Sequence, residues 1–377
     1  MKRIILVFTT LLAVSTISAC QKNNSSSKAI KEPILENCSI YRDEEFGGAY
    51  IRIPIQNFND IGFQFGDSVD LSFSNGFKAE DIGYYSGYYV PAGQELLVGY
   101  KGYESIKYCI NYGEDVYTKN NFDKDTRVTI TLNEAQKYKQ VEETLSIVYS
   151  DDRTDAFYKS DEQFANFRPI TVGNVKENYI YRGASPIDNS RKRAQIVDGL
   201  LRQNNIAYNI DLADKQESIT QAKYTINDYF NGLMNNNKVI FLGMAAAYKA
   251  DDFSNKMKTM FEAMLNNDGP YYIHCLEGKD RTGYVCMVIE ALCGATYDEL
   301  IDDYFITYKN YYGIEKGSDK YNVIKELHID EMIRYVFSFE KSVNLLGANY
   351  HSKANDYLLN IGLTQEQINT LQTKLSK

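Results

Sequence analysis

Residues 274–283 read His-Cys-Leu-Glu-Gly-Lys-Asp-Arg-Thr-Gly, and this string holds the side chains best equipped for chemistry. The run Pro270-Tyr271-Tyr272-Ile273-His274 reads as a strand that delivers Cys275. The chain then turns at Gly278 and enters a helix near Arg281, with apolar Val285, Val288, Ile289 and Leu292 behind it. A thiol placed there meets the unpaired N–H groups of a helix N-terminus, which bind anions and favour thiolate over thiol. Arg281 follows Cys275 by six positions, so a tight loop returns its guanidinium over the sulfur, where the fork matches two phosphate oxygens. Nucleophile, amide cradle and charge clamp then meet at one point. That geometry suits attack on phosphorus with the equatorial oxygens held by donors. Thr282 is placed to donate to the sulfur, and Gly283 lets the helix approach the loop closely.

The string resembles the signature of the cysteine-dependent protein tyrosine phosphatases, Cys-x5-Arg-Thr with a preceding His. In detail, His274-Cys275-x-x-Gly278-Lys279-Asp280-Arg281-Thr282 is similar to the bacterial tyrosine and dual-specificity subfamily that also acts on phosphoinositides. The resemblance runs over roughly residues 167–375 and includes Tyr181-Arg182-Gly183, Ile210-Asp211-Leu212, Asp303-Tyr304, Tyr357-Leu358-Leu359 and Ile361-Gly362-Leu363-Thr364. It implies that Cys275 is the nucleophile and forms a phosphocysteine, that Arg281 binds phosphate, and that His274 orients the loop. Asp280 is the implied general acid, with Asp211 and Asp214, at the end of a neighbouring strand, as alternatives. Leu276, Glu277, Gly278, Lys279 and Asp211 make up the expected phosphate-binding set. A lysine at position 279 is associated in the subfamily with highly phosphorylated head groups; a solvated surface lysine is the other reading. The family usually places Arg after Asp-Leu, whereas Ala213 and Asp214 stand here.

The loop needs a scaffold, and the flanking pattern supplies one. Strand-like residues 179–181, 206–212 and 238–242 alternate with helical stretches at 190–204 and 257–265, which indicates an α/β catalytic domain with a central sheet flanked by helices, residues 167–377. Residues 284–377 read as mostly helical; the aromatic-rich stretch 300–312, Cys286 and Cys293 are expected in the core, and His328 and His351 at the surface or in packing. Between residues 38 and 150 short β-branched and aromatic segments punctuated by Gly87, Gly93, Gly99 and Gly102 suggest a smaller β-rich barrel- or sandwich-like domain. Tyr84, Tyr85, Tyr88 and Tyr89 are expected to pack there, with a ligand-stacking face as the alternative. Polar residues 151–166 are the expected linker.

Composition narrows the function. The 377-residue chain is 44% hydrophobic with 6 Pro, the make-up of a globular protein of about two domains. Its net charge of −9, with no basic stripe, argues against nucleic-acid binding. Three His and no C-x-x-C pair suggest neither a metal nor another cofactor. Met1-Lys2-Arg3, an apolar run to Val14 and Ile17-Ser18-Ala19-Cys20 form a signal peptide over residues 1–19. The Cys at the cleavage point resembles a bacterial lipobox, which implies a lipid on Cys20. The expected location is therefore outside the cytoplasm, lipid-anchored at the cell surface or the periplasmic face, with residues 20–37 as a flexible tether. Five further Cys, an odd number, leave at least one thiol free. Three functions follow as expectations: a phosphatase of phosphotyrosine proteins, a phosphoinositide or inositol-phosphate phosphatase, or a non-catalytic phospho-ligand-binding lipoprotein.

Overall fold

The computed structural model describes residues 32–44, 46–91, 93–245 and 252–377. The signal peptide, Cys20 and the tether up to residue 31 lie outside the described residues. The first strand begins at Ile34, so residues 34–37 are sheet rather than tether.

Seven strands close into a barrel: β1 (Ile34–Arg42), β2 (Ala49–Ile51), β3 (Ser68–Phe73), β4 (Lys78–Tyr85), β5 (Glu95–Val98), β6 (Lys107–Ile110) and β7 (Arg127–Glu134). Their order is β1-β2-β6-β5-β4-β3-β7, and closure removes the free edges that an open sheet would expose. The interior is aromatic. Phe58 stacks on Phe63 at 4.2 Å, Tyr84 meets Phe58 edge-on at 5.1 Å, and Phe73 stacks on Phe122 at 4.3 Å. Tyr84 is fully buried and satisfies its hydroxyl on Asn59 Oδ1 at 2.8 Å. Tyr85 is buried too, while Tyr88 and Tyr89 are half-buried outside any strand, so the four tyrosines form no single face.

The helix α1 (Lys139–Leu145) leads from the barrel into a five-stranded sheet. That sheet holds β8 (Arg168–Pro169), β9 (Ile180–Gly183), β10 (Tyr208–Asp211), β11 (Val239–Phe241) and β12 (Tyr271–His274). The order is β11-β10-β12-β9-β8, all parallel except β8 at the edge. On one face α2 (Ala194–Gln203) and α3 (Asp228–Asn235) bury Leu200, Leu201 and Phe230. On the other pack α4 (Phe253–Asn266), α5 (Asp280–Leu292), α6 (Tyr297–Tyr312), α7 (Tyr350–Asn360) and α8 (Gln365–Leu375). The expected helix over 190–204 is split: Asp188 caps a short turn, Asn189–Arg191, and Lys192 at φ +57° breaks the spiral before α2.

The chain runs outward from β10 to β11 and then returns to place β12 between β10 and β9. The carboxyl end of β12 therefore opens at the point where the winding reverses, the usual crevice of such sheets. From Thr282 to Leu292 every residue of α5 is buried, which explains a sequence that is apolar apart from Thr282 and Glu290 and places Cys286 in the core as expected. Cys293 caps the same helix and is buried as well. Residues 151–166 are docked rather than loose: Arg193 Nη1 holds Asp151 Oδ1 at 2.6 Å, and Tyr158 and Phe164 are buried. Part of their polarity is used on the sheet domain, through Asp151, and part within the segment, as in the Arg153–Asp161 pair at 2.6 Å; Pro33–Lys377 form one compact unit. Among the described residues Cys38, Cys109, Cys275, Cys286 and Cys293 are all free thiols.

Candidate active site

Strand β12 ends at His274, the loop of residues 275–279 follows, and α5 starts at Asp280. Gly278 is the hinge of the loop. Its φ is +68°, and a Cβ there would lie 2.3 Å from the Gly183 carbonyl oxygen, so only glycine fits. Gly283, expected to bring the helix close to the loop, instead admits Tyr304 of α6, whose ring a Cβ would meet at 2.2 Å.

The carbonyls of the loop are held from behind. Ser185 N–H donates to the Leu276 carbonyl (3.1 Å), the Tyr311 hydroxyl to that of Glu277 (2.8 Å), and Arg182 Nη2 to that of Gly278 (3.1 Å). Asn166 Nδ2 donates to both Glu277 and Gly278 carbonyls, at 3.2 and 3.3 Å. In a trans peptide the N–H points opposite to the C=O, so fixing these three carbonyls outward turns the N–H groups of Glu277, Gly278 and Lys279 inward. That is the amide cradle the sequence called for.

Two of these donors, Arg182 directly and Asn166 through Arg168, are tied to one carboxylate. Arg182, 1% exposed, binds Asp303 Oδ2 through Nη1 at 2.5 Å. Arg168 reaches Asp303 Oδ1 through Nε at 3.3 Å, the Asp303 carbonyl through Nη2 at 2.9 Å, and Asn166 Oδ1 through Nη1 at 2.6 Å. Burial opposes the charge on Asp303, but Arg168 and Arg182 outweigh it and hold the carboxyl below its usual range. Burial, reinforced by the Asp303 charge, pushes neighbouring Glu290 far upward, so it stays protonated. Two guanidinium groups against one carboxylate leave net positive charge behind the cradle.

Cys275 is 4% exposed at the base of the loop. His274 is fully buried, bonds Asn209 Oδ1 through Nε2 at 2.9 Å and stacks on Tyr272. Burial lowers its pKa to about 4, so it works as a neutral anchor for the strand end. Arg281 is half-buried, with Nη1 donating to the Met244 carbonyl at 2.9 Å. The Thr282 hydroxyl is buried without a hydrogen-bond partner, so the expected donation to sulfur is not made here.

Asp211 and Asp214 do not reach the mouth of the loop. Asp211 is fully buried, and its Oδ1 accepts the N–H groups of Ala213 and Asp214, both at 2.9 Å. Ala213 and Asp214, which replace the family's usual residues, thus close a turn on Asp211. Burial pushes Asp211 up to about 6, against the pull of those N–H groups and of Arg281. Burial and the Asp211 charge push Asp214 up to about 6 as well, and the Tyr224 hydroxyl donates to it at 2.8 Å. Asp211 therefore sits beside Arg281 as a backing charge rather than in the phosphate-binding set.

Asp280 is the open carboxyl, with its side chain 61% exposed at the start of α5. The Tyr304 hydroxyl donates to it at 3.3 Å, and Lys279 Nζ lies 3.8 Å away. Lys279 is not a solvated lysine. Its side chain is 20% exposed, with Nζ 5.8 Å from the Tyr308 ring and 5.9 Å from that of Tyr312. Burial opposes its charge, but Asp280 and these tyrosines keep it protonated throughout. Glu277 contributes its backbone only, because its carboxylate accepts the Tyr149 hydroxyl and faces Arg191 at 3.7 Å.

Sequence reasoning missed the backing residues. Tyr304, Tyr308 and Tyr311 share the face of α6 turned to the loop, a spacing legible in the sequence but assigned there to core alone. His328 lies on a π-helical turn, Lys325–Asp330, near enough to Lys279 and Asp280 to feel both charges; burial first, then Lys279, lowers its pKa to about 4.

Residues 162–377 match the sequence pattern of the tyrosine phosphatase family. The chain belongs to that family. It is a phosphoric monoester hydrolase. Among solved structures it is similar to the core catalytic domain of the PP-IP phosphatase Siw14 from S. cerevisiae in complex with citrate: 21% identity over 48% of this chain and 96% of that one, TM-score 0.27. It is also similar to TpbA of P. aeruginosa, at 15% identity over 59% and 98% of the chains, TM-score 0.23. A TpbA variant in complex with pTyr gives 14% identity, 59% and 97% coverage, and TM-score 0.23. No curated protein matches the chain.

Two predictions follow for this phosphatase. Replacing Asp303 by Asn strands two buried guanidinium groups and should lower the unfolding free energy by about 3–5 kcal/mol in a urea titration; a loss below about 1 kcal/mol would refute the network's role. The second concerns pH. Asp211 and Asp214 retain protons up to about pH 6 in the native state, so their contribution is complete below the unfolded value of 3.8 and is lost as pH rises through about 6. Neutral His274 acts in the opposite sense, its contribution being lost as pH falls from 6.5 toward about 4. Asp214→Asn should therefore gain about 1–3 kcal/mol relative to wild type as pH rises from about 4 to above 6. A difference independent of pH would contradict the burial of this carboxyl.

Proposed function

We propose that the chain is a cysteine-dependent phosphatase that works through a phosphocysteine intermediate, with phosphotyrosine in proteins as its substrate. The observation that carries this reading is the loop that follows Cys275: three successive carbonyls are bonded outward, which turns the next three N–H groups inward, with positive charge behind them. The Cys275 thiolate attacks phosphorus and the bond to the leaving oxygen breaks. Asp280, the carboxyl open at the mouth, gives that oxygen its proton. Water then attacks the phosphocysteine, Asp280 takes a proton from it, the P–S bond breaks and phosphate leaves. Arg281 and the N–H groups hold the equatorial oxygens throughout.

Lys279 supports a second reading, hydrolysis of phosphoinositides or inositol phosphates. Caged by Tyr308 and Tyr312, it supplies a permanent positive charge beside the primary phosphate, where a second phosphate of a polyphosphorylated ring would sit. The substrate is reached outside the cytoplasm in our proposal, from a lipid anchor on Cys20. A non-catalytic phospho-ligand binder is disfavoured, because binding alone does not require the Cys275–Asp280 pair.

Cys275→Ser should abolish phosphate release from phosphotyrosine peptides, phosphoinositides and inositol phosphates alike; equal turnover by wild type and variant would sink the thiolate mechanism. The ranking of the three substrates by the wild type decides between the two readings. The kcat profile should be bell-shaped with a mildly acidic optimum, and Asp280→Asn should remove the alkaline limb and lower kcat by about 10²–10⁴-fold. An alkaline limb removed by Asp214→Asn and kept in Asp280→Asn would move the acid to the buried pair.

A further inference from the structure

A loop that binds a phosphate dianion carries a liability in Glu277, a carboxylate three bonds from the cradle's own backbone. The structure shows what keeps it away. The Tyr149 hydroxyl donates to Glu277 Oε1, and Arg191 Nη2 approaches the same oxygen at 3.7 Å. Tyr149 is locked in turn: its ring stacks on Tyr311 at 4.8 Å, and Arg193 lies over it at 5.1 Å. Arg191 and Arg193 are both tied to Asp151, at 3.1 and 2.6 Å. Burial, then the Glu277 charge, raise the Tyr149 phenol so far that it remains a donor at any working pH. Tyr311 binds the Glu277 carbonyl, so side chain and backbone of one loop residue are gripped by a single aromatic stack.

We infer that Tyr149 is a positioning residue of the catalytic loop, holding the Glu277 carboxylate off the bound phosphate. Tyr149 and Asp151 lie before residue 162, where the family match begins, so the strap joining barrel to sheet domain is a working part of the phosphate site. The inference rests on the reading that this loop binds phosphate.

The test is a double-mutant cycle in the full chain, read by orthophosphate binding in calorimetry and by kcat/KM on a phosphotyrosine peptide. Tyr149→Phe should weaken phosphate binding and lower kcat/KM about tenfold in the wild-type background, and less than twofold in the Glu277→Gln background. A purely structural role would give the same loss in both backgrounds, and that result, or no loss in either, overturns the inference. Should Tyr149→Phe fail to fold, Arg191→Gln removes the second tie and is read in the same cycle. Phosphate binding that follows this pattern without turnover by the wild type would sink the enzymatic reading and leave the positioning role standing.

Discussion

Two buried guanidinium groups share one carboxylate, and the geometry of the loop depends on that sharing. Arg168 and Arg182 would each cost several kcal/mol to bury alone. Asp303, supplied by α6, pairs with both, and further N–H groups reach Asn166, Thr307 and the Gly278 carbonyl. The result is a floor carrying net positive charge, on which the carbonyls of Glu277 and Gly278 are fixed before any substrate arrives. Preorganisation of this kind matters because donors that are already aimed need no rearrangement when charge develops on the transferring phosphoryl group.

The chemistry at the mouth follows from that floor. Gly278 packs directly on the Gly183 backbone because it carries no side chain, and this holds the loop after β12 against the end of β9. His274 and Asp211, at the ends of β12 and β10, fill the remaining buried space as a neutral imidazole and a carboxyl of raised pKa. Asp280 and Lys279 are left at the rim, one in water and one over tyrosine rings. Which carboxyls are buried and which is open is set by their place in the fold, not by residue type.

The string from Cys275 to Arg281 stood out in the sequence because groups that are to share one loop must lie close together in the chain. The β-rich part was legible from short β-branched and aromatic segments punctuated by glycine, which left barrel and sandwich open, and the α/β order from strand-like stretches alternating with helical ones. What could not be read is the partner of each loop group. Tyr149 and Glu277 are 128 residues apart, and Asn166 and Thr307 are 141 apart. No local pattern encodes such pairings. The polar run 151–166 looked like a linker because ion-paired and solvated residues have the same composition. The two readings of Lys279 stayed open in the sequence for a related reason: its tyrosine neighbours come from α6 and looked like core packing.

The cradle is proposed to serve covalent catalysis at Cys275. Rapid acid quench of the wild-type chain during turnover of a phosphotyrosine peptide, followed by peptide mass mapping, tests it directly. The prediction is one phosphoryl group on Cys275, absent from Cys275→Ala. Turnover with no phosphorylated enzyme, or with the phosphoryl group on another residue, would contradict it.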